Sequence, residues 1–378
     1  MIRRLKEEDI LKIVELENST LNTSLGYDML KSSLENEMAY FFVLEEEENI
    51  LGYISTMFDG QIVEILNFCV DKNSQHKGLG TKILSFLDNY FYTLKAKSMI
   101  LEVRNNNINA IKIYEKFGFK KIHVRKNYYS NGDDALILEH KLISPEELYF
   151  SYVEVNSKKE INKDYIKYFD DLQPDKYYAN FYKVLNPSKE LISELKNKKF
   201  REVFSFMSNK ELDDLLDFKY EKDSLFYMHS SIFNLKPLKD NDFDIRLLDD
   251  SYLDKIYDYD YNASLIFGEE FAKGDAKRLS ENIKNKELNY FGAFKDNELV
   301  GQILTYVKGD SLLVEGVDVK EEFKHKGYCS ALFKYILNYY KNDIKEVMLI
   351  ADRNDTVWQM YLDMGFDIID STYFYWMV

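Results

Sequence analysis

Cysteine and proline are scarce in this chain. Among 378 residues there are two cysteines, four prolines and 15 glycines. Two cysteines, Cys69 and Cys329, build neither a disulfide framework nor a cysteine-based metal centre, so no metal is expected. So little glycine and proline argues against collagen-like or low-complexity sequence. No apolar run approaches the roughly 20 residues that a membrane-spanning helix needs. The opening Met1-Ile2-Arg3-Arg4-Leu5-Lys6 has no apolar signal-peptide core, and a cytoplasmic location is expected. Positive charge is also short: 50 Lys and Arg stand against 65 Asp and Glu, a net charge of −15. Wrapping nucleic acid requires a cationic face, so nucleic acid and membrane are not the expected partners. A basic or amine-bearing substrate is.

Aromatic residues are plentiful, with 30 Tyr and 26 Phe, and 46% of the chain is hydrophobic. Two to three domains with sizeable cores are expected at this length. The chain also repeats itself. Gln75-His76-Lys77-Gly78-Leu79-Gly80 recurs 249 residues later as Lys324-His325-Lys326-Gly327-Tyr328-Cys329. Gly52 and Gly301, and Gly60 and Gly309, are spaced by the same 249 residues.

All four prolines, Pro145, Pro174, Pro187 and Pro237, fall in the middle of the chain. The division expected is 1–144 and 243–378 as two related domains, with 145–242 as a connecting region. Within the connector, Glu190 to Phe206 reads as helix, turn and strand, a degenerate half-copy or a plain helical linker. Each flanking domain opens on a short strand, at Ile2 to Leu5 and at Ile245 to Leu248. A three-strand meander follows, over Tyr40–Leu44, Ile50–Met57 and Ile62–Val70. In the second copy the meander is Tyr290–Phe294, Leu299–Val307 and Leu312–Val319. After each glycine loop comes a helix with an apolar stripe, Ile83, Leu84, Leu87, Phe91 and Leu94 in the first. A strand and a further helix ending at glycine complete each copy. The class is α/β, with a mixed sheet.

A Gly-x-Gly turn entering a helix points several backbone N–H groups one way, at the positive end of the helix dipole. Such a turn cradles a diphosphate. A nucleotide P-loop ends in Gly-Lys-Ser/Thr, which Gly80-Thr81-Lys82 does not match. A dinucleotide loop follows the first strand of its domain, whereas this one follows a meander. The pyrophosphate of coenzyme A is the diphosphate that remains.

The run Asn107-Ile108-Asn109-Ala110-Ile111-Lys112-Ile113-Tyr114-Glu115-Lys116-Phe117-Gly118-Phe119, with the loop before it, resembles the GNAT N-acetyltransferase superfamily. The first domain is similar to the ribosomal-protein alanine acetyltransferase (RimI) branch over about 140 residues, through Leu101-Glu102-Val103-Arg104 and Arg125-Lys126-Asn127-Tyr128-Tyr129. The second matches at superfamily level, at Asn354, Tyr361, Gly365 and Phe366, with Cys329 in place of the second loop glycine. The resemblance implies two GNAT domains whose sheets splay to admit acetyl-CoA. It implies that Phe68, Cys69 and Val70 hold the pantetheine arm through their backbone. It places His76, Lys77, Gly78, Leu79, Gly80 and Thr81 at the pyrophosphate, and Asn107 further along the cofactor. In the second copy, Val319, Lys324, Lys326, Gly327, Cys329 and Ser330, with Asn354 and Tyr361, are the cofactor residues.

The acceptor amine must be neutral to attack the thioester. An α-amine, with a pKa of about 8, is neutral far more often than lysine at about 10.4. By the resemblance, Glu102 is the first candidate base and Glu64 its rival, with a water relay as the third route. Tyr114 is the candidate acid for the leaving thiolate. The second domain keeps Tyr361 but has Leu349 and Leu313 where the carboxylates would stand, with Glu315 nearby. It is therefore expected to be impaired or to use another acceptor. The function expected is acetyl transfer to a primary amine, such as a protein N-terminal α-amine. Small-molecule amine acetylation and a non-catalytic CoA sensor are the alternatives.

Overall fold

The computed structural model describes residues 1–21, 24–174, 176, 179–196, 202–205, 209–236 and 242–377. They form two compact units, Met1–Ser144 and Pro145–Val378. Among the described residues no helix is long and apolar enough to cross a membrane.

The first unit runs β1 (Ile2–Arg4), α1 (Ile10–Thr20), α2 (Tyr27–Ser33), β2 (Ala39–Glu46), β3 (Asn49–Phe58), β4 (Ile62–Val70) and α3 (Leu79–Thr93). It continues through β5 (Ser98–Arg104), α4 (Ile108–Phe117), β6 (Lys120–Arg125) and β7 (Ala135–Lys141). Its seven strands are ordered β1-β2-β3-β4-β5-β7-β6. Only β4 and β5 are parallel neighbours. The Glu45–Glu48 run is the β2–β3 turn, with Glu47 and Glu48 at φ 48° and 64°, as a tight hairpin requires of its two central residues. The apolar stripe of α1, Ile10, Ile13 and Leu16, is buried in one cluster with Phe41, Val43, Tyr53 and Cys69 of the sheet. On α3, the expected Ile83, Leu84, Leu87 and Phe91 are buried.

The second unit opens with α5 (Pro145–Asn156), β8 (Lys158–Ile161), β9 (Tyr165–Phe169), β10 (Phe181–Val184) and α6 (Lys189–Lys196). Next come β11 (Glu202–Ser205), α7 (Asn209–Leu215) and β12 (Tyr220–Ser231). Then follow β13 (Asp244–Leu248), α8 (Leu253–Ser264), α9 (Glu269–Lys284), β14 (Leu288–Lys295), β15 (Glu298–Lys308) and β16 (Ser311–Val319). The last elements are α10 (Tyr328–Tyr339), β17 (Glu346–Asp352), α11 (Val357–Met364) and β18 (Asp367–Met377). All its strands form one sheet, ordered β13-β14-β15-β16-β17-β12-β18-β11-β10-β9-β8.

The stretch 145–242 therefore does more than connect. Its strand β12 lies between β17 and β18, antiparallel to both. Leu225, Tyr227, Met228 and His229 on it are buried, so the C-terminal sheet is completed by residues that precede that domain in sequence. The Glu190–Phe206 reading matches α6 and β11 where residues are described, and 197–201 and 206 lie outside them.

Candidate active site

In the first unit the pairing of β4 with β5 runs from Ile62↔Ser98 to Ile65↔Leu101 and ends there. Both strands continue, β4 to Val70 and β5 to Arg104. A register shift on β4 opposite Ser55 and Thr56 coincides with this parting. A bulge bends its strand and frees backbone groups, which is how two parallel neighbours come to splay. Phe68, Cys69 and Val70 lie beyond the last β5 partner and pair only with Ile54, Tyr53 and Gly52 of β3. The edge they turn toward β5 is suited to hold an extended ligand by main-chain hydrogen bonds.

The bulge is anchored by a residue that the sequence reading passed over. Glu17 of α1 is fully buried. Its carboxylate accepts from Asn67 Nδ2 at 2.6 Å, Ser24 Oγ at 2.7 Å and Leu25 N at 3.0 Å. Asn67 N also donates to Ser55 Oγ at 3.0 Å. A glutamate on the buried stripe of an amphipathic helix was the signal available.

The loop after β4 carries His76 at φ 61° and Gly78 at φ 79°. Gly78 is the N-cap of α3, and no side chain caps that helix. The first N–H groups of a helix have no partner inside it. Those of Leu79, Gly80 and Thr81, with Lys77 and Lys82 beside them, form an anion cradle that suits a pyrophosphate. The second loop repeats the backbone, with His325 at φ 59° and Gly327 at φ 94° capping α10. Cys329 does not disturb it. Its counterpart Gly80 has no positive φ, and a Cβ there would meet Phe68 only at an ordinary 3.5 Å.

Tyr114 on α4 is buried and packs against Phe68 and Phe119, with ring centres 6.3 and 5.6 Å apart. Burial raises its hydroxyl above the ordinary tyrosine value, and the Cys69 thiol adds to this. The phenol is thus firmly protonated, as a donor to a thiolate must be. Burial also pushes Cys69 up to about 12, which leaves it a poor nucleophile. Asn107 caps α4, accepting from Ala110 N at 3.3 Å. Asn354 is used differently: its Nδ2 donates to Asp223 of β12 at 2.5 Å, and the N-cap position of α11 is Thr356, whose side chain makes no capping bond.

Glu64 and Glu102 lie on one face of the sheet, because Glu64 pairs with Ile100 and Glu102 is two residues further on. Glu64 precedes the parting and is exposed; Glu102 follows it. Arg125 Nη1 forms an ion pair with Glu102 and lies 5.3 Å from the Tyr128 ring centre. Arg104 stacks on Tyr129 at 3.7 Å and pairs with Asp133 at 3.3 Å. The structure thus groups Phe68, Cys69 and Tyr114 at the splay, and Glu102 with Arg125 and Tyr128 on the neighbouring face.

In the second unit β16 and β17 part after Val314↔Leu349, again beside a register shift, opposite Gln302 and Leu304. Glu315 is the first residue of β16 beyond the last pair. Burial pushes its carboxyl up to about 7, with Lys176 pulling the other way. Tyr361 is buried, and Cys329 and Glu315 both add to the rise of its hydroxyl.

A parallel pair splayed at a bulge, followed by a helix N-terminus that no side chain caps, is present here twice. The Acetyltransferase (GNAT) family model matches residues 8–119 and 253–366, together more than half of the chain. The chain belongs to the GNAT acetyltransferase family, whose acyl donor is acetyl-CoA. It is 30% identical over 139 residues to a protein of Bacillus subtilis named a putative ribosomal protein bS18-alanine N-acetyltransferase, covering 36% of this chain and 92% of that one. It is 29% identical over 157 residues to an N-alpha-acetyltransferase of Saccharolobus solfataricus, covering 37% and 92%. The structure of a conserved protein of unknown function from Staphylococcus epidermidis shares the fold. That likeness covers 60% of this chain and 96% of that one, at 20% identity and a TM-score of 0.51.

Proposed function

We propose that the N-terminal unit acetylates the α-amine of a protein N-terminus. The observation that carries this reading is the half-open array of Glu102, Arg125 and Tyr128 beside the β4–β5 parting. Tyr128 is 49% exposed and the Glu102 side chain 25%, so an extended chain end has access to the carboxylate. The names of the relatives, an alanine N-acetyltransferase and an N-alpha-acetyltransferase, support it.

In this reading Phe68, Cys69 and Val70 hold the pantetheine arm by their backbone, and the 76–81 loop holds the pyrophosphate. Glu102 takes the proton that keeps the acceptor nitrogen from attacking. Its ion pair with Arg125 keeps the carboxylate aimed. Glu64, on the same face, is the alternative base. Tyr114 supplies a proton to the sulfur as it leaves. Glu17 acts through Asn67, holding the bulge.

The test is release of the CoA thiol from acetyl-CoA by the full chain, with peptides bearing free or blocked N-terminal alanine. Release with the free peptide and none with the blocked one is expected. Acetyl-CoA binding without release, with every amine tried, would replace this reading with a CoA-binding sensor.

We also propose that 158–231 is a truncated third copy. Its order of meander, helix, parallel strand, helix and strand is that of β2 through β6, and β10–β11 is parallel like β4–β5. Asn186-Pro187-Ser188 precedes α6 in place of a glycine loop, so this copy has lost its CoA cradle. Each of the two copies in the large sheet then borrows a strand from the other, β12 in one direction and β18 in the other.

A further inference from the structure

The C-terminal unit contains a cavity of about 1230 Å³. Its walls are α5, Gln173, Lys176 and Ala179, α8, α9 and the strands β14 to β16, all within Pro145–Val378. Glu315, Gly316, Val317 and Asp318 line it. These are the residues of β16 past its last pairing with β17, so the cavity opens on the place where the strands part.

Its charge is unbalanced. Asp275 is matched by Lys176, and Asp170 by Arg278. Asp260, Glu315 and Asp318 also line the cavity and have no ion pair among the described residues. Asp260 accepts from Gln302 Nε2 at 2.9 Å, and Asp318 from the Tyr259 hydroxyl at 2.9 Å. Neither of these donors carries charge.

A second, independent observation points the same way. Gln302 and Asn282 line the cavity with 8% and 6% of their surface exposed. Gln302 commits its N–H end to Asp260, and Asn282 commits its own to the Tyr290 hydroxyl at 2.9 Å. The carbonyl oxygens Gln302 Oε1 and Asn282 Oδ1 are buried and have no partner among the described residues. A buried acceptor without a donor is destabilising. Unpaired carboxylates and unpaired carbonyls together ask for a ligand that brings both positive charge and N–H donors, and an ammonium group brings both. The tyrosines at 149, 152 and 290 complete an aromatic wall of the kind that favours cations.

The first unit shows the contrast. The buried acid on its first helix, Glu17, has three donors supplied by the protein. The acid on the first helix of the second copy, Asp260, faces a cavity instead.

We infer that the C-terminal unit is a second acetyl-transfer site, whose acceptor is a small organic molecule carrying at least two ammonium groups. Glu315, at the parting of the strands, receives the reacting nitrogen. Asp260 and Asp318, with the two carbonyl oxygens, hold the other. Glu315 takes one proton from the reacting ammonium and passes it to solvent. The freed nitrogen lone pair forms a bond to the thioester carbonyl carbon, and the carbon–sulfur bond breaks. Sulfur leaves with the electron pair and takes a proton from Tyr361. The phenolate recovers a proton from the new amide nitrogen. The products are an acetamide, the CoA thiol and one proton.

The test uses the full chain with spermidine as probe and n-butylamine as the single-charge control. Titration calorimetry without acetyl-CoA reads binding; thiol release reads turnover. Spermidine is expected to bind at least 10-fold more tightly than n-butylamine. Asp260→Asn is expected to weaken spermidine at least 10-fold. Glu315→Gln is expected to lower its acetylation at least 100-fold while binding changes less than 10-fold. If Asp260→Asn does not fold, Ala263→Arg, which puts a cation on the exposed cavity wall of α8, serves in its place. Tyr114→Phe is expected to leave spermidine turnover intact. This separates the second site from the N-terminal one, whose failure is read with peptide. Equal binding of the two amines would overturn the inference. So would spermidine turnover that survives Glu315→Gln but is lost with Tyr114→Phe.

Discussion

Arg125 reaches from β6 to the Glu102 carboxylate on β5 and carries its guanidinium over the Tyr128 ring at 5.3 Å. One cation thus orients both the candidate base and an aromatic on the acceptor side. Glu102→Gln is expected to lower kcat for N-terminal peptide by about 10²–10⁴, with KM little changed. Arg125→Leu should raise KM as well, because it frees both partners. Glu64→Gln should alter kcat less than either. Steady-state peptide kinetics decide, and a larger loss at Glu64 would transfer the base role to it.

Tyr114→Phe removes a buried hydroxyl but not the ring that packs on Phe68 and Phe119. Peptide turnover should fall by about 10²-fold or more, while the melting temperature stays within about 2–4 °C of the parent, the change that ~1 kcal/mol brings. Loss of the fold would show that the hydroxyl is structural.

The two loops predict opposite responses at their two glycine positions. Gly78 sits at φ 79°, where a side chain costs about 1–2 kcal/mol. Gly78→Ala should therefore lower the melting temperature and raise KM for acetyl-CoA. Gly80→Cys copies the residue at 329 and should be near neutral in both. Thermal melts and acetyl-CoA titrations of the pair check this.

Burial pushes Glu315 up from 4.5 to about 7. Burial first and Asp275 second push Asp260 from 3.8 to about 7. A raised carboxyl pKa means that the folded chain resists the charge. The stability these groups contribute is full below about pH 4, near their unfolded pKa values. It is lost as pH rises through about 7. Glu315→Gln should therefore melt higher than the parent at pH 8, by about 2–4 °C for each kcal/mol recovered, and equal to it at pH 4. Added spermidine should raise the parent's melting temperature at pH 8 and narrow that difference.

Strand β12 supplies the middle of the large sheet. Residues 243–378 expressed alone would expose the paired edges of β17 and β18, and such edges aggregate. The segment 145–378 should be soluble and give a single thermal transition. A well-folded 243–378 fragment would show that the exchange of strands is dispensable.

Much of the local framework around the candidate site is legible in the sequence. The glycine loops, the meander before each, the Asn-to-Gly-Phe helix and the stripe on α3 are local patterns, and each settled where expected. Glu17 was not read, because its meaning depends on Asn67, fifty residues away. Glu315 was visible only as a carboxylate near the wrong position. Its importance comes from the bulge, which puts it at the parting of β16 and β17. The connector reading of 145–242 lacked β12 for the same reason. A strand's place in a sheet is set by partners distant in the chain, and its own alternation does not name them.

What the linear chain determined alone was its repertoire: two anion-cradling turns, two apolar-striped helices after them, and a tyrosine in each copy. Those follow from backbone sterics and short-range periodicity, which act within a few residues. Only the folded molecule decided which acids face water, which face the Arg125 guanidinium and which line the cavity of the C-terminal unit. Burial and charge pairing depend on distances between residues that the chain order leaves far apart, and those distances exist only once the sheets have formed.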